Sequence, residues 1–201
     1  GIQTENGWWR LYDLDDDHGY SGQFCVDDVD YGVESVIGPI NTDIHVYCLD
    51  ETLPFLLQFL TSVYDGSQAQ PDAAAEFFNI PGGGCCDTAT EDMAISLGND
   101  EDCSTTLNCT TYFIGCNDLG ETGPTYLTSA SCGVIDPVTT GGIGFPQAQM
   151  VMVVNGTDEG TGDDGGTPDD GGGGVPATTG VGLVLLVLAL GGGSAYFLRR
   201  K

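Results

Sequence analysis

From Asp28 to Ile37 the chain alternates with period two. Val29, Tyr31, Val33, Ser35 and Ile37 fall on one side, and Asp28, Asp30, Gly32 and Glu34 on the other. Successive side chains of an extended strand point to opposite faces, so this pattern predicts a strand with odd positions in a core and even ones in water. Ile44, Val46 and Cys48 alternate with Asp43, His45 and Tyr47 in the same way. No stretch of residues 1–155 carries a long pattern of helical period. Shorter strand signals cover Trp8 to Leu14, Phe55 to Tyr64, Phe77 to Ile80, Met93 to Leu97, Tyr112 to Cys116 and Gln149 to Val154. Of these, Phe55 to Tyr64 would serve equally as a helix. Seven or eight short strands separated by Gly, Asp, Asn and Pro predict an all-β, antiparallel β-sandwich.

Eight cysteines accompany these strands: Cys25, Cys48, Cys85, Cys86, Cys103, Cys109, Cys116 and Cys132. The set is even, it contains no CxxC, and neither histidine lies near a cysteine pair, so the spacing speaks for disulfides rather than zinc. Four bridges are expected, which places the chain in an oxidising compartment. A bond between the neighbours Cys85 and Cys86 is strained, so each is expected to pair elsewhere. Cys103 with Cys109 would close a short local loop.

Composition divides the 201 residues into three regions. Residues 1–155 hold every cysteine and tryptophan and carry 24 acidic side chains against one basic one, Arg10. Residues 156–174 contain nine Gly and six acids with no aliphatic or aromatic side chain. Too little apolar surface is available there to offset the entropy of ordering, which predicts a disordered tether. Residues 175–201 are apolar with a basic end. Three of the four cations in the chain are Arg199, Arg200 and Lys201. Nucleic-acid binding is excluded as a role, because phosphate contacts need clustered Lys and Arg on the folded part.

Between Val181 and Leu198 stand 18 consecutive uncharged residues. At ~1.5 Å per residue a helix of that length spans about 27 Å, close to one hydrocarbon core. The cationic end is expected to remain cytoplasmic, with everything before Val175 outside. The stretch Val175-Pro176-Ala177-Thr178-Thr179-Gly180, the apolar run and the terminal Arg199-Arg200-Lys201 together resemble the C-terminal sorting signals of exosortase-processed bacterial surface proteins, the PEP-CTERM and IPTL-CTERM groups. That resemblance implies a secreted bacterial protein delivered to the cell surface or envelope by a membrane-embedded sorting protease of exosortase type. It departs from each group: Ala177 stands where a Glu is expected in the first, and Thr179-Gly180-Val181-Gly182 replaces the continuation of the second. The same six residues are also similar to a sortase signal, and Gly171 to Gly174 to the Gly-Gly signals of rhomboid-type proteases, so the processing enzyme stays open. The stretches 6–35 and 111–157 resemble a β-sandwich domain recurrent in secreted bacterial proteins. That likeness implies fold and location, not catalysis. Gly1 is read as a mature terminus left by signal-peptide removal or as the end of a fragment.

Asp13, Asp15 and Asp17 present alternate carboxylates of the kind that open a calcium loop. His18 occupies the sixth position where an EF-hand needs Gly, so Ca²⁺ is at most a ligand of this turn and a solvated Asp-rich turn is the competing reading. His18 and His45 are the only imidazoles, and no G-x-S-x-G elbow occurs. His45 is expected on the outer face of its strand. The expected role is therefore non-catalytic, structural or adhesive, with the membrane and an extracellular polysaccharide or surface matrix as partners. The alternative is a carbohydrate-binding accessory module of a secreted enzyme system, with Trp8 and Trp9 as a stacking platform. Both indoles on one open face would support it, and packed indoles would not.

Overall fold

The computed structural model describes residues 6–37, 40–99, 111–117, 123–146 and 148–159. These form β1 (Asn6–Tyr12), β2 (Gln23–Ile37), β3 (Ile40–Asp50), β4 (Thr61–Gln70), β5 (Ala73–Pro81), β6 (Cys85–Asp87), β7 (Glu91–Gly98), β8 (Thr111–Ile114), β9 (Cys116–Asn117), β10 (Thr125–Ser129), β11 (Val134–Thr139), β12 (Gln149–Met150) and β13 (Met152–Glu159). Three short 3-10 turns complete the described elements, and every strand pairing among them is antiparallel.

One sheet has six strands in the order β11-β10-β1-β7-β3-β4. A second is organised on β2, the longest of the described strands, which is flanked by β5 and β6 along one edge and by β13 and β8 along the other, and β9 and β12 pair as a small two-stranded sheet. The core lies between the first two sheets. Ile44, Val46, Met93, Ile95 and Leu97 come from the first, and Phe24, Val29, Tyr31, Val33 and Ile80 from the second. Each fully buried aliphatic side chain contributes ~1.5–3 kcal/mol before conformational entropy is charged against it, so the phase of each strand is strongly selected.

That phase is reset twice along β2. Phe24 and Val26 point inward, then Val29, Tyr31 and Val33, then Val36. The first reset is an irregularity opposite Asn155 and Gly156, which leaves Asp27 as the extra residue. The second falls between Val33 and Ser35 against β8, with Glu34 as the extra residue. Bulges of this kind let one long strand keep alternate sets of residues in a core while it twists. The simple alternation therefore holds through Val33 and fails beyond it. Val36 is buried, Ser35 is half-buried, and Ile37 is 63% exposed. On β3, Ile44, Val46 and Cys48 point inward as expected and His45 and Tyr47 are only half-buried, but Asp43, expected in water, is 8% exposed.

Three other boundaries are corrected. The segment from Phe55 is neither strand nor α-helix at first. It crosses the sheet surface with a 3-10 turn at Leu57–Phe59 and becomes β4 only at Thr61. Phe55 packs against Trp9 and Tyr126 on the outside of the six-stranded sheet, and Leu57 is exposed, so the segment follows the period of neither element. The folded region also runs past residue 155. Gly156 to Glu159 continue β13 against Gln23–Val26. Gly156 passes so close to β2 that a β-carbon would collide with the Phe24 ring and the Cys25 carbonyl, and Thr157 Oγ1 lies 3.1 Å from Asp27 Oδ2. Hairpin signals also missed β10 and β11: β10 alternates, but two of its three buried residues are the polar Thr125 and Ser129, and β11 is interrupted at Ile135 to Pro137, where four of its steps face two on β10. Among the described residues no helix is long and apolar enough to cross a membrane. The tether from residue 160, the motif at 175–180, the apolar run and the basic end at 199–201 lie outside the described residues.

Candidate functional site

Two disulfides are present among the described residues, and both use the doublet Cys85-Cys86. Neighbours on a strand face opposite ways, so one doublet reaches two partners. Cys85, on the outer side of β6, joins its cross-strand neighbour Cys25 on β2, with Cα atoms 4.0 Å apart. Cys86 points inward and joins Cys48 on β3, with Cα atoms 5.5 Å apart, tying the two sheets together through the core. Cys48 and Cys86 are 3% and 1% exposed. The expectation that the neighbours pair elsewhere is met. Cys103 and Cys109 lie outside the described residues. Cys116 is half-buried on β9, its thiol 3.9 Å from the Ile114 carbonyl oxygen. Cys132 ends a 3-10 turn at the rim of the six-stranded sheet, its thiol exposed and without a disulfide partner among the described residues.

The acidic turn between β1 and β2 gathers a different trio from the expected one. Carboxylate oxygens of Asp13, Asp15 and Asp16 lie within 4.8 Å of one another, and Asp17 is not of the group. The backbone N–H of Asp16 donates to Asp13 Oδ1 at 3.0 Å and to Asp15 Oδ1 at 2.7 Å, folding the turn back on itself. The segment is the Asp-rich turn between two strands that its sequence implied, with Asp16 in the place expected for Asp17. Asp92, at the start of β7, faces this turn. Burial first, and then the charges of Asp13, Glu51, Asp15 and Asp17, push its carboxyl up to about 6. Asp13 is raised as well, by burial and then by its acidic neighbours, against the pull of the Asp16 N–H.

The two indoles part company. Trp8 packs half-buried against the inter-sheet core, and Trp9, one residue on, is 5% exposed on the opposite face of β1. The Trp9 indole N–H donates to Thr128 Oγ1 at 3.0 Å, and its ring lies 5.5 Å from Tyr47 and 6.0 Å from Phe55. Phe55 also meets Tyr126 edge-on at 4.9 Å. The segment before β4 thus roofs Trp9, and no Trp8–Trp9 platform forms.

His45 stands on the outer face, as expected, beside a partner that sequence reading missed. Its Nδ1 lies 2.6 Å from Asp65 Oδ1. Ser62 Oγ donates to Asp65 Oδ2 at 3.2 Å. The imidazole beside it holds the Asp65 carboxyl below the usual carboxylate range. Ser62 bonds the carboxylate and not the imidazole, so the three do not form a nucleophile–base–orienter chain. His18 lies between Tyr12 and Tyr20, its ring 6.2 Å and 6.1 Å from theirs.

Inside the sandwich, the Tyr31 hydroxyl donates to Gln70 Oε1 at 2.6 Å, and Thr42 Oγ1 lies 3.2 Å from the same oxygen and 3.3 Å from the Tyr112 hydroxyl. Burial raises the phenols of Tyr31 and Tyr112. This network joins β2, β3, β4 and β8 at one end of the core. An open recess of about 330 Å³ is lined by Gly144, Phe145, Pro146 and Ala148, none of which titrates.

No protein-family model, no curated protein and no solved structure matches this chain.

Proposed function

We propose that the chain is a surface-displayed bacterial protein whose folded region is a non-catalytic structural or adhesive ectodomain. In this reading the ectodomain lies outside the membrane on the acidic Gly-rich tether, and an apolar helix ends in cytoplasmic Arg199, Arg200 and Lys201. A sorting protease of exosortase type acts near Val175 to Gly180. The observation that carries the reading is the Cys48–Cys86 bridge buried between the sheets, backed by Cys25–Cys85. A core closed by disulfides belongs to an oxidising compartment. Such cross-links also oppose the self-repulsion of a body with 24 acids and one cation before residue 156.

Divalent cations, Ca²⁺ among them, would screen this surface, and the turn of Asp13, Asp15 and Asp16 brings three carboxylates within 4.8 Å of one another. Attachment to a hydrated extracellular polysaccharide or surface matrix is therefore expected to weaken in chelator. Indifference to chelator and salt would remove the cation from the account. A carbohydrate-binding accessory module is the second reading. It loses the Trp pair and retains the exposed polar group at His45 and Asp65.

The test is protease shaving of intact cells. The account expects the ectodomain to be digested from outside, and a body of shortened mass to appear where a sorting enzyme has cut near Val175. A chain that resists external protease and fractionates as freely soluble at full length contradicts it.

A further inference from the structure

We propose that the outer face of the six-stranded sheet carries a subsite for an uncharged, hydroxyl-rich ligand, a neutral saccharide, formed by His45, Tyr47, Ser62 and Asp65. This deepens the adhesive reading above and rests on it.

A β-bulge builds the subsite. Between Val46 and Tyr47 the pairing of β3 with β4 shifts, so that Val46 faces Tyr64 while Tyr47 faces Ser62, and Val63 is the extra residue. Ser62 and Asp65 are three positions apart and would fall on opposite faces of a regular strand. The bulge puts both outside, Ser62 beside Tyr47 and Asp65 beside His45, which is the kind of re-aiming that bulges perform. The result is a hydrogen-bonded row, Ser62 to Asp65 to His45, with distances of 3.2 and 2.6 Å.

The row fixes donors and acceptors. Asp65 is an acceptor on both oxygens, so Nδ1 of His45 carries a proton and donates to it. In the neutral imidazole Nε2 then bears the lone pair and is left to accept from a ligand hydroxyl. Carboxylate-oriented imidazoles hold their other nitrogen in a fixed direction. The Tyr47 ring, 6.2 Å from the imidazole, supplies an apolar face alongside. Tyr47 is itself held by Trp9 at 5.5 Å, which Phe55 covers from above. A half-buried ring next to outward hydrogen-bonding groups is what a pyranose presents to and requires: C–H faces to pack and hydroxyls to bond.

Stability does not account for the arrangement. The side chains of His45 and Asp65 are 35% and 64% exposed, and ion pairs so exposed contribute ~0–1 kcal/mol. Charge selects among ligands. A body carrying 24 acids repels anionic glycans, and a cationic ligand has the whole surface to choose from, so a neutral ligand is the one for which this local geometry decides.

The experiment titrates the full chain, in lipid nanodiscs, with cellohexaose, laminarihexaose and xylohexaose, and with an oligoalginate as the anionic control, by calorimetry. At least one neutral hexasaccharide is expected to bind and the alginate is not. H45A and Y47A are each expected to weaken binding ~10-fold, about the loss of one good contact, and S62A by ~2–5-fold through the freed carboxylate. D28N, on the other sheet, should bind as the parent does. Thermal melts accompany every variant. If H45A melts early, Y47A and S62A decide the matter. Absence of binding to all three neutral ligands, or binding unchanged in Y47A with its fold intact, overturns the subsite. Neither outcome touches the shaving result on which the display reading stands.

Discussion

Removing the Cys48–Cys86 bridge, as C48A/C86A, perturbs the structure where its two sheets are joined. With Cys25–Cys85 left in place, the circuit that Cys48–Cys86 closes runs from Cys25 to Cys48 and takes one further step across the doublet, roughly 24 residues. In the chain-entropy model such a circuit is worth ~3.4 kcal/mol. Removing Cys25–Cys85 instead opens a circuit of the same length, so the entropic terms match. What differs is burial. Cys48 and Cys86 are 3% and 1% exposed, whereas Cys25 and Cys85 are half-buried. Deleting two core sulfurs adds a cavity cost of about 1–2 kcal/mol. C48A/C86A should therefore lose ~5 kcal/mol and C25A/C85A about 3, read from urea midpoints at matched m-values. The same asymmetry governs reduction of the native chain: mass-tagged alkylation in mild dithiothreitol should label Cys25 and Cys85 before Cys48 and Cys86. Equal losses in the two variants, or simultaneous labelling, would refute the placement of one bridge inside and the other outside.

Three further outcomes follow from the packing. Asp92 binds its proton more tightly folded than unfolded, since its folded value is about 6 against 3.8. Its effect on stability is therefore most favourable below pH 4 and is lost as pH rises through 4 to 6. Because the group is partly solvated, D92N should stabilise by only about 1 kcal/mol above pH 6.5 and by nothing at pH 3.5. A denaturation series across pH with no difference between the two chains would contradict the crowding of that turn. G115A should cost ~1–3 kcal/mol, because a β-carbon there meets the Gly32 backbone at 2.8 Å where Gly115 N–H bonds the Gly32 carbonyl, and a neutral melt would show that the strands can part. Y31F removes the hydroxyl 2.6 Å from Gln70 Oε1 and should cost ~1–2 kcal/mol in equilibrium unfolding.

What could be read from residues alone was what depends on side-chain period. Val29 to Val33 and Ile44 to Cys48 state their inward face directly, and together with Met93 to Leu97 they locate the core. What could not be read was anything set by two strands at once. The bulges at Asp27 and Glu34 are fixed by β13 and β8, more than 70 residues away in sequence, so Ile37 reads as core and is not. Asp65 carries no mark of its tie to His45, because that tie exists only in the β3–β4 register. The doublet Cys85-Cys86 is an intermediate case. Its two directions follow from strand geometry, and its two partners required the sheets. For Trp8 and Trp9 adjacency in sequence suggested a shared platform, and the same period-two rule places them on opposite faces.

The central claim, that this acidic body folds and works cross-linked outside the reducing cytosol, is tested most directly in living cells. Thiols are blocked in culture before lysis, and the peptides containing Cys25, Cys48 and Cys85-Cys86 are then analysed without reductant. The account predicts one linked species holding all four cysteines, with none blocked. Recovery of Cys48 and Cys86 in the blocked, reduced form from a natively folded chain would contradict it.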